Sequence, residues 1–198
     1  MFRSKQRPVV YSQADHQRLA GAIAAAWDPA RVPLPFEPFV RGVATHDRGY
    51  GKLDTDPIGA IEPERWVEIQ LAGTTPQDDP VTDLVVALHV QRLADGFTPL
   101  DAHVPERLAA AGVDPEDAKT ADAITELCDR LAFAFCFEEA ASGTIGGIAY
   151  SLDLDGTGTL APWPLVVPEL RATIVGYEAD GYPEQLAPVE RELVLTPA

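Results

Sequence analysis

From Pro115 to about Glu139 the chain reads as one long helix, and its later half leaves only one place to put it. Pro115-Glu116-Asp117 has the composition of a helix start, with proline and two acids in the first turn. Leu131-Ala132-Phe133-Ala134-Phe135-Cys136-Phe137 is then apolar on every side. A helix with no polar face belongs in the centre of a domain, so the other elements must be arranged around it. Its two cysteines, Cys128 and Cys136, are the only two in the chain. Eight helical positions separate them by about 12 Å, beyond the reach of a disulfide. They read as reduced, buried, small apolar residues of a cytosolic protein.

The segments that could surround this helix are also mostly helical. Val9-Val10-Tyr11 is a short strand candidate, and Ser12 then reads as an N-cap with Asp15 three residues on. The following helix carries Leu19, Ala20, Ile23 and Trp27 on one stripe, with His16 one turn ahead of Leu19. After a loop containing Pro29, Pro33 and Pro35, a second helix is expected to start near Pro38. It runs through Phe39, Val43, His46 and Asp47 and ends at Gly49 and Gly51. Residues 52–80 are mostly irregular, with a helical piece around Glu64 to Leu71. A third strong helix spans roughly Val81 to Ala94 and ends at Gly96, and the stretch from Thr98 to Pro115 holds a short helix with Glu106 to Ala111 as its body.

After Gly143 the period changes from helical to two. Ile148, Tyr150, Leu152 and Leu154 alternate with Ser151, Asp153 and Asp155, and Asp155-Gly156 is a hairpin signal. Arg171 to Tyr177 and Glu192 to Leu195 could add two strands. The expected fold is therefore mainly α, with a helical core over residues 1–143. A small C-terminal antiparallel β appendage, residues 144–198, packs on the same domain. At 198 residues and 46% apolar content the chain can bury one substantial core.

The net charge of −16 argues against nucleic acid and anionic lipid as partners. A small phosphorylated ligand is compatible with it, because a metal or local cation can reverse the potential inside one cleft. The basic start, Met1 to Pro8, has no apolar run after it and no segment approaches the ~20 apolar residues of a membrane span. The expectation is a cytoplasmic protein without membrane partners.

Three of the four histidines lie on apolar helix faces: His16 at the head of the first stripe, His46 beyond Phe39 and Val43, and His89 beside Val85, Val86 and Leu93. Asp47 adjoins His46, and Asp129 sits in the helix that becomes apolar all round. Buried carboxylates and histidines on separate helices need a shared partner, because an unpaired buried carboxylate costs several kcal/mol, roughly. A divalent metal supplies one. Taken singly, each of these histidines has a plainer explanation as a hydrogen-bonded core residue, and Asp129 as half of an ion pair with Arg130. It is their joint occurrence that points to a metal. His103, beside Pro105, reads as a surface residue.

The order of these residues is similar to that of the HD-domain superfamily of metal-dependent phosphohydrolases. More closely, the chain resembles a bacterial family known as domain of unknown function 3891. Gln13-Ala14-Asp15-His16 with Leu19-Ala20-Gly21, His46-Asp47-Arg48-Gly49-Tyr50 followed by Asp54 and Pro57, Leu88-His89, and Cys128-Asp129-Arg130-Leu131 carry the resemblance, over about residues 9–140. Tyr50 stands where members usually have tryptophan. The resemblance implies an HD-like helical core and a first metal held by His16, His46, Asp47 and Asp129. His89 would then be a fifth ligand or part of a second metal position.

The function this implies is hydrolysis of a small phosphoester by metal-activated water. The metal would be iron, manganese, magnesium or zinc. Arg48 and Lys52 are the cations expected to neutralise the phosphate, ahead of Arg18. Asp54 either holds a ligand histidine in its tautomer or caps a turn. The alternatives are an HD-fold di-iron oxygenase, which would need His89, and a non-catalytic metal-binding or ligand-sensing domain. Asp153-Leu154-Asp155-Gly156-Thr157-Gly158 lacks the glutamate of a calcium loop and reads as a hairpin turn. Gly143 to Gly147 has no following lysine and reads as a linker, not a phosphate loop.

Overall fold

The computed structural model describes residues 1–94 and 103–198. Strands β1 (Phe2–Arg3) and β2 (Val9–Tyr11) precede helix α1 (Gln13–Ala25). A 3-10 turn at Pro29–Arg31, α2 (Phe36–Ala44), a second 3-10 turn at Arg48–Tyr50, α3 (Pro63–Thr74) and α4 (Pro80–Ala94) follow. After the gap in the description come α5 (His103–Ala111), α6 (Pro115–Phe137) and strands β3 (Ala141–Ile145), β4 (Ile148–Leu152), β5 (Thr157–Ala161), β6 (Leu170–Glu178) and β7 (Pro188–Pro197). The expected stop at Gly96 and the first part of the Thr98–Pro115 stretch lie outside the described residues.

The architecture corrects the mainly α expectation, and with it an all-α classification. Among the described residues the strands form one seven-stranded sheet in the order β1-β2-β6-β7-β5-β4-β3. This is an α/β fold and not a helical core with a small appendage. Nor is the sheet purely antiparallel: β5 runs parallel to β7, pairing Thr157 with Val194 and Leu160 with Pro197. Its longest ladder, β6 with β7, runs from Leu170↔Leu195 to Tyr177↔Pro188. The N-terminal strands join through β2, where Val9 pairs with Glu178 and Val10 with Tyr177. Local periodicity finds strands one at a time, whereas the β2–β6 pairing links Val9 to Glu178 from opposite ends of the chain.

The centre is as the helix composition requires. Leu131, Ala132, Ala134, Phe135 and Cys136 of α6 are all buried, with Phe133 and Phe137 partly so. Leu152, Leu160, Ile174, Leu193 and Leu195 from the sheet join the same core, as do Leu19, Ile23 and Trp27 from the first helical segment. Ser12 caps α1, its hydroxyl accepting from the Asp15 backbone N–H.

Two glycines set the helix spacing. A Cβ on Gly21 would stand 2.5 Å from the Ala44 Cβ, and one on Gly42 2.5 Å from the Val85 Cβ. Only hydrogen at those positions lets α1, α2 and α4 approach so closely. No helix of the described residues is long and apolar enough to cross a membrane.

Helix α2 is shorter than the apolar pattern suggests. It ends at Ala44, with Thr45 as its cap, and the next 3-10 turn begins at Arg48. His46 and Asp47 therefore lie in the turn between the two and not on a helix face. The Thr45 hydroxyl bonds the Arg41 carbonyl and its N–H the Gly42 carbonyl, which closes the helix one turn early.

Candidate metal centre

Four segments converge on one buried cluster. His16 comes from the first turns of α1, His46 and Asp47 from the turn after α2, His89 from α4 and Asp129 from the middle of α6. The close α1–α2 and α2–α4 contacts at Gly21 and Gly42 place the first three within reach of one another. The rings of His16 and His46 are 5.1 Å apart and those of His46 and His89 4.4 Å. Two overlapping sets, His16/His46/Asp47 and His46/His89/Asp129, have ligand atoms all within 4.8 Å of one another.

The carboxylates divide their oxygens between the histidines. Asp47 Oδ2 lies 3.4 Å from His16 Nδ1 and 3.3 Å from His46 Nε2. Asp129 Oδ1 lies 3.2 Å from His16 Nε2 and 3.6 Å from His46 Nε2. The second oxygens turn towards His89, with Asp47 Oδ1 3.4 Å from its Nε2 and Asp129 Oδ2 3.7 Å from its Nδ1. Both nitrogens of His16, and Nε2 of His46 and His89, are buried without a hydrogen-bond partner among the described residues. Each such group costs about 1–3 kcal/mol if nothing satisfies it. Ligand atoms bound at about 2.0–2.2 Å to one ion stand roughly 3–3.6 Å apart, the spacing seen here. The set of imidazoles and carboxylates could hold a metal ion.

The supporting contacts favour His46 as a ligand. Its Nδ1 bonds the Val43 carbonyl at 2.6 Å, which places the proton there and leaves the Nε2 lone pair facing the carboxylates. The Asp47 backbone N–H donates to Gln17 Oε1 at 3.0 Å and fixes the turn. His89 is held differently. A guanidinium nitrogen of Arg92 sits 3.0 Å from His89 Nδ1. A guanidinium only donates, so Nδ1 accepts and the neutral ring carries its proton on Nε2. In this arrangement His89 is a proton-bearing neighbour of the cluster. It becomes a ligand through Nε2 only if Arg92 lets go.

Electrostatics show a cluster that demands positive charge. Burial alone would lower His46, yet Asp47 and Asp129 outweigh it and raise its pKa to about 10. Burial also opposes charge on His16, and its contacts with Asp129 and Asp47 raise it nonetheless. His89 goes the other way, pushed down by burial and by His46. Asp47 and Asp129 are held well below the usual carboxylate range by the histidines, against the cost of burial. Two ionised carboxylates thus share the site with protons, or with a cation that displaces them.

Above the cluster lies a cavity of about 250 Å³ lined by Phe2, Gln13, His16, Asp47, Tyr50, Ile58, Trp66, His89, Leu93, Asp129 and Phe133. His46 is behind this wall. A larger cavity of about 440 Å³, between Trp27, the first half of α6 and the β3–β4 turn, contains no histidine or aspartate in its lining. Size alone would favour that second cavity, but the chemistry sits in the smaller one.

The structure brings together His16, His46, Asp47, His89 and Asp129. It places Arg48, Lys52 and Asp54 elsewhere. Arg48 donates to the carbonyls of Gly73 and Thr75 and to Asp83, at 2.7, 2.9 and 2.8 Å. Lys52 is exposed and outside the cavity lining. Asp54 accepts from the Gln13 backbone N–H at 2.8 Å and from the Met1 amino group, so it caps α1. Arg18 pairs with Asp15. Sequence pattern alone does not mark Gln17, Arg92 or the cavity residues Phe2, Ile58, Trp66 and Phe133 as parts of the site. Arg92 had a visible signal, lying one turn after His89, and Gln17 another, as a glutamine beside His16. No family model, curated protein or solved structure matches the chain. The family resemblance therefore rests on the residues that carry it.

Proposed function

We propose that the protein is a metal-dependent hydrolase that cleaves a small ester with one divalent ion at His16, His46, Asp47 and Asp129. The observation that carries this reading is the set of buried, partnerless imidazole nitrogens facing two ionised carboxylates at the floor of a cavity. A divalent ion there supplies a water of lowered pKa and polarises the bond to be cleaved.

The protein's own residues do the remaining work. Val43 and Gln17 hold the His46-Asp47 turn in its ligating geometry. Phe2, Trp66 and Phe133 line the space above it and keep bulk water from the reacting bond. His89, oriented by Arg92, carries its proton on Nε2, 3.4 Å from Asp47 Oδ1. Metal analysis by plasma mass spectrometry tests the reading. About one equivalent of transition metal is expected in the wild type and none in His46→Ala/Asp47→Ala, which should also lose ester turnover. No metal in either sample after reconstitution would overturn it, and stoichiometric metal without turnover on any ester would leave a binding domain.

A second reading has one observation in its favour: the outward oxygens of Asp47 and Asp129 both face His89. A second ion there would make a two-metal centre suited to phosphoester hydrolysis or, with iron, to oxygen activation. It requires Arg92 to release His89. Two equivalents of metal, one of them lost in His89→Ala, would favour it.

A further inference from the structure

Beyond the histidine-aspartate cluster itself, the described lining of the cavity holds no cation. Its lining contains four aromatic rings (Phe2, Tyr50, Trp66, Phe133), the aliphatic Ile58 and Leu93, and the uncharged amide of Gln13, but no lysine or arginine. Arg92 is the arginine that touches the cluster, through His89 Nδ1 at 3.0 Å. It is not in the lining and is already paired with Asp122, with Asp129 at 3.6 Å. The segment outside the described residues, 95–102, adds no lysine or arginine to the sequence and carries Asp95 and Asp101.

The charge balance of the site is then simple. One divalent ion contributes +2 and Asp47 with Asp129 contribute −2, so the loaded centre is neutral. A phosphate dianion placed on it would bring two uncompensated negative charges into an aromatic cavity of an already acidic protein. Desolvating such charges without partners costs several kcal/mol, roughly, per ion. A flat, uncharged body gains instead from stacking and apolar burial against the four rings. Phosphate-binding sites that work without a second metal surround the anion with arginine, lysine or backbone N–H donors. The cations that sequence order placed here, Arg48 and Lys52, are respectively bonded to α3 and exposed.

We infer that the cavity selects an uncharged, aromatic-bodied ester or amide and excludes phosphorylated substrates. This rests on the one-metal reading above and names its substrate class. Two probes with the same ring and different charge test it: benzamide and phenyl phosphate, titrated into metal-loaded and metal-free protein. Binding is followed by the fluorescence of Trp66, with Trp66→Phe as the control that assigns the signal. Metal content is measured in every sample.

Benzamide should bind the wild type at least about tenfold more tightly than phenyl phosphate. Leu93→Lys adds one cation to the lining at a position that is 47% exposed and tolerant of charge. That variant should narrow the gap several-fold by strengthening phenyl phosphate alone. In turnover, phenyl acetate should be cleaved and phenyl phosphate, with the same leaving group, should not. Tighter binding of phenyl phosphate than of benzamide by wild-type protein holding one metal would overturn the inference. So would a Leu93→Lys variant that leaves both affinities unchanged. Protein that binds benzamide but holds no metal would sink the hydrolase reading and leave the cavity's preference standing.

Discussion

Two buried charge clusters lie along α6, one at its C-terminal end and one at its middle, and they are finished to different degrees. At its C-terminal end Glu138, 4% exposed at the side chain, accepts from Arg7 at 2.6 and 3.0 Å and from the Tyr11 hydroxyl at 3.3 Å, with Arg191 at 3.9 Å. The buried carboxylate there is fully partnered, and Arg191 also donates to the Phe135 carbonyl. The Glu138 backbone sits in the left-handed region at φ 53°, a strain of about 1 kcal/mol for a non-glycine residue that the surrounding bonds hold in place. In the middle of the same helix, Asp129 meets three histidines, and the nitrogens that His16 and His46 turn towards it have no hydrogen-bond partner among the described residues. Proteins rarely leave buried polar atoms unsatisfied without a reason, so the completed cluster reads as structure and the incomplete one as a site.

The sharpest way to break this comparison is to remove one carboxylate from each cluster. Glu138→Gln keeps the side-chain shape and deletes the charge. It should destabilise the fold by about 2 kcal/mol, below the ~3–5 of a fully buried pair because Arg7 stays partly exposed. Its metal content should equal that of the wild type. Asp47→Asn should do the reverse, abolishing metal binding and with it any rise in melting temperature on adding metal. Melting curves with and without added manganese check both. If Glu138→Gln loses metal, or Asp47→Asn retains it, the division between structural and functional charge is drawn in the wrong place.

The same contrast explains what sequence could show. His16, His46, Asp47, His89 and Asp129 were visible because ionisable residues on apolar faces are conspicuous wherever they occur. Their meeting depends on Gly21 and Gly42, and a glycine inside a helix does not announce which neighbour it admits. Sequence order puts Arg48 at the phosphate, but a cation next to a ligand in sequence points wherever its rotamer takes it, here towards the end of α3. The helices were legible from stripes and caps, Ser12 with Asp15 above all. The joining of the strands into one sheet was not, since β1 is two residues long, and β2, three residues long, finds its partner β6 near the other end of the chain. His46 and Asp47 looked helical because the apolar spacing of Phe39 and Val43 continues past the point where Thr45 stops the helix.

A second test uses pH, where the unfinished cluster should behave oppositely with and without metal. In the metal-free protein His46 is raised from 6.5 to about 10. A group raised on folding stabilises fully below its unfolded pKa, and that contribution disappears as pH climbs through the folded value. Chelator-treated protein should therefore melt at falling temperature as pH rises from about 7 towards 10. The depressed Asp47 and Asp129 act at the other end, stabilising above about 3.8 and losing that contribution as pH falls well below it. Metal must displace the His46 proton, so the extra stability conferred by manganese should shrink as pH drops from 8 to 6. A metal-free melting temperature that stays flat up to pH 10 would mean His46 does not hold its proton in the cluster.

The smallest effect separates Arg48 from Lys52, the two cations that sequence order places at the site. Arg48 satisfies the Gly73 and Thr75 carbonyls near the C-terminus of α3, which the helix itself leaves open, and bonds Asp83, itself buried. Asp83 keeps backbone donors from Gln77 when Arg48 is removed, so it is not stranded as a bare charge. Arg48→Ala should thus cost about 1–3 kcal/mol of stability, the range for hydrogen bonds to partly buried acceptors. Lys52→Ala should change stability by no more than about 0.5 kcal/mol. Neither substitution should alter ester turnover per folded molecule at a temperature where both variants remain native. A loss of turnover in Arg48→Ala with its melting temperature unchanged would show the guanidinium leaving α3 to reach the substrate. Such a movement would bring to the cavity the positive charge that its walls lack.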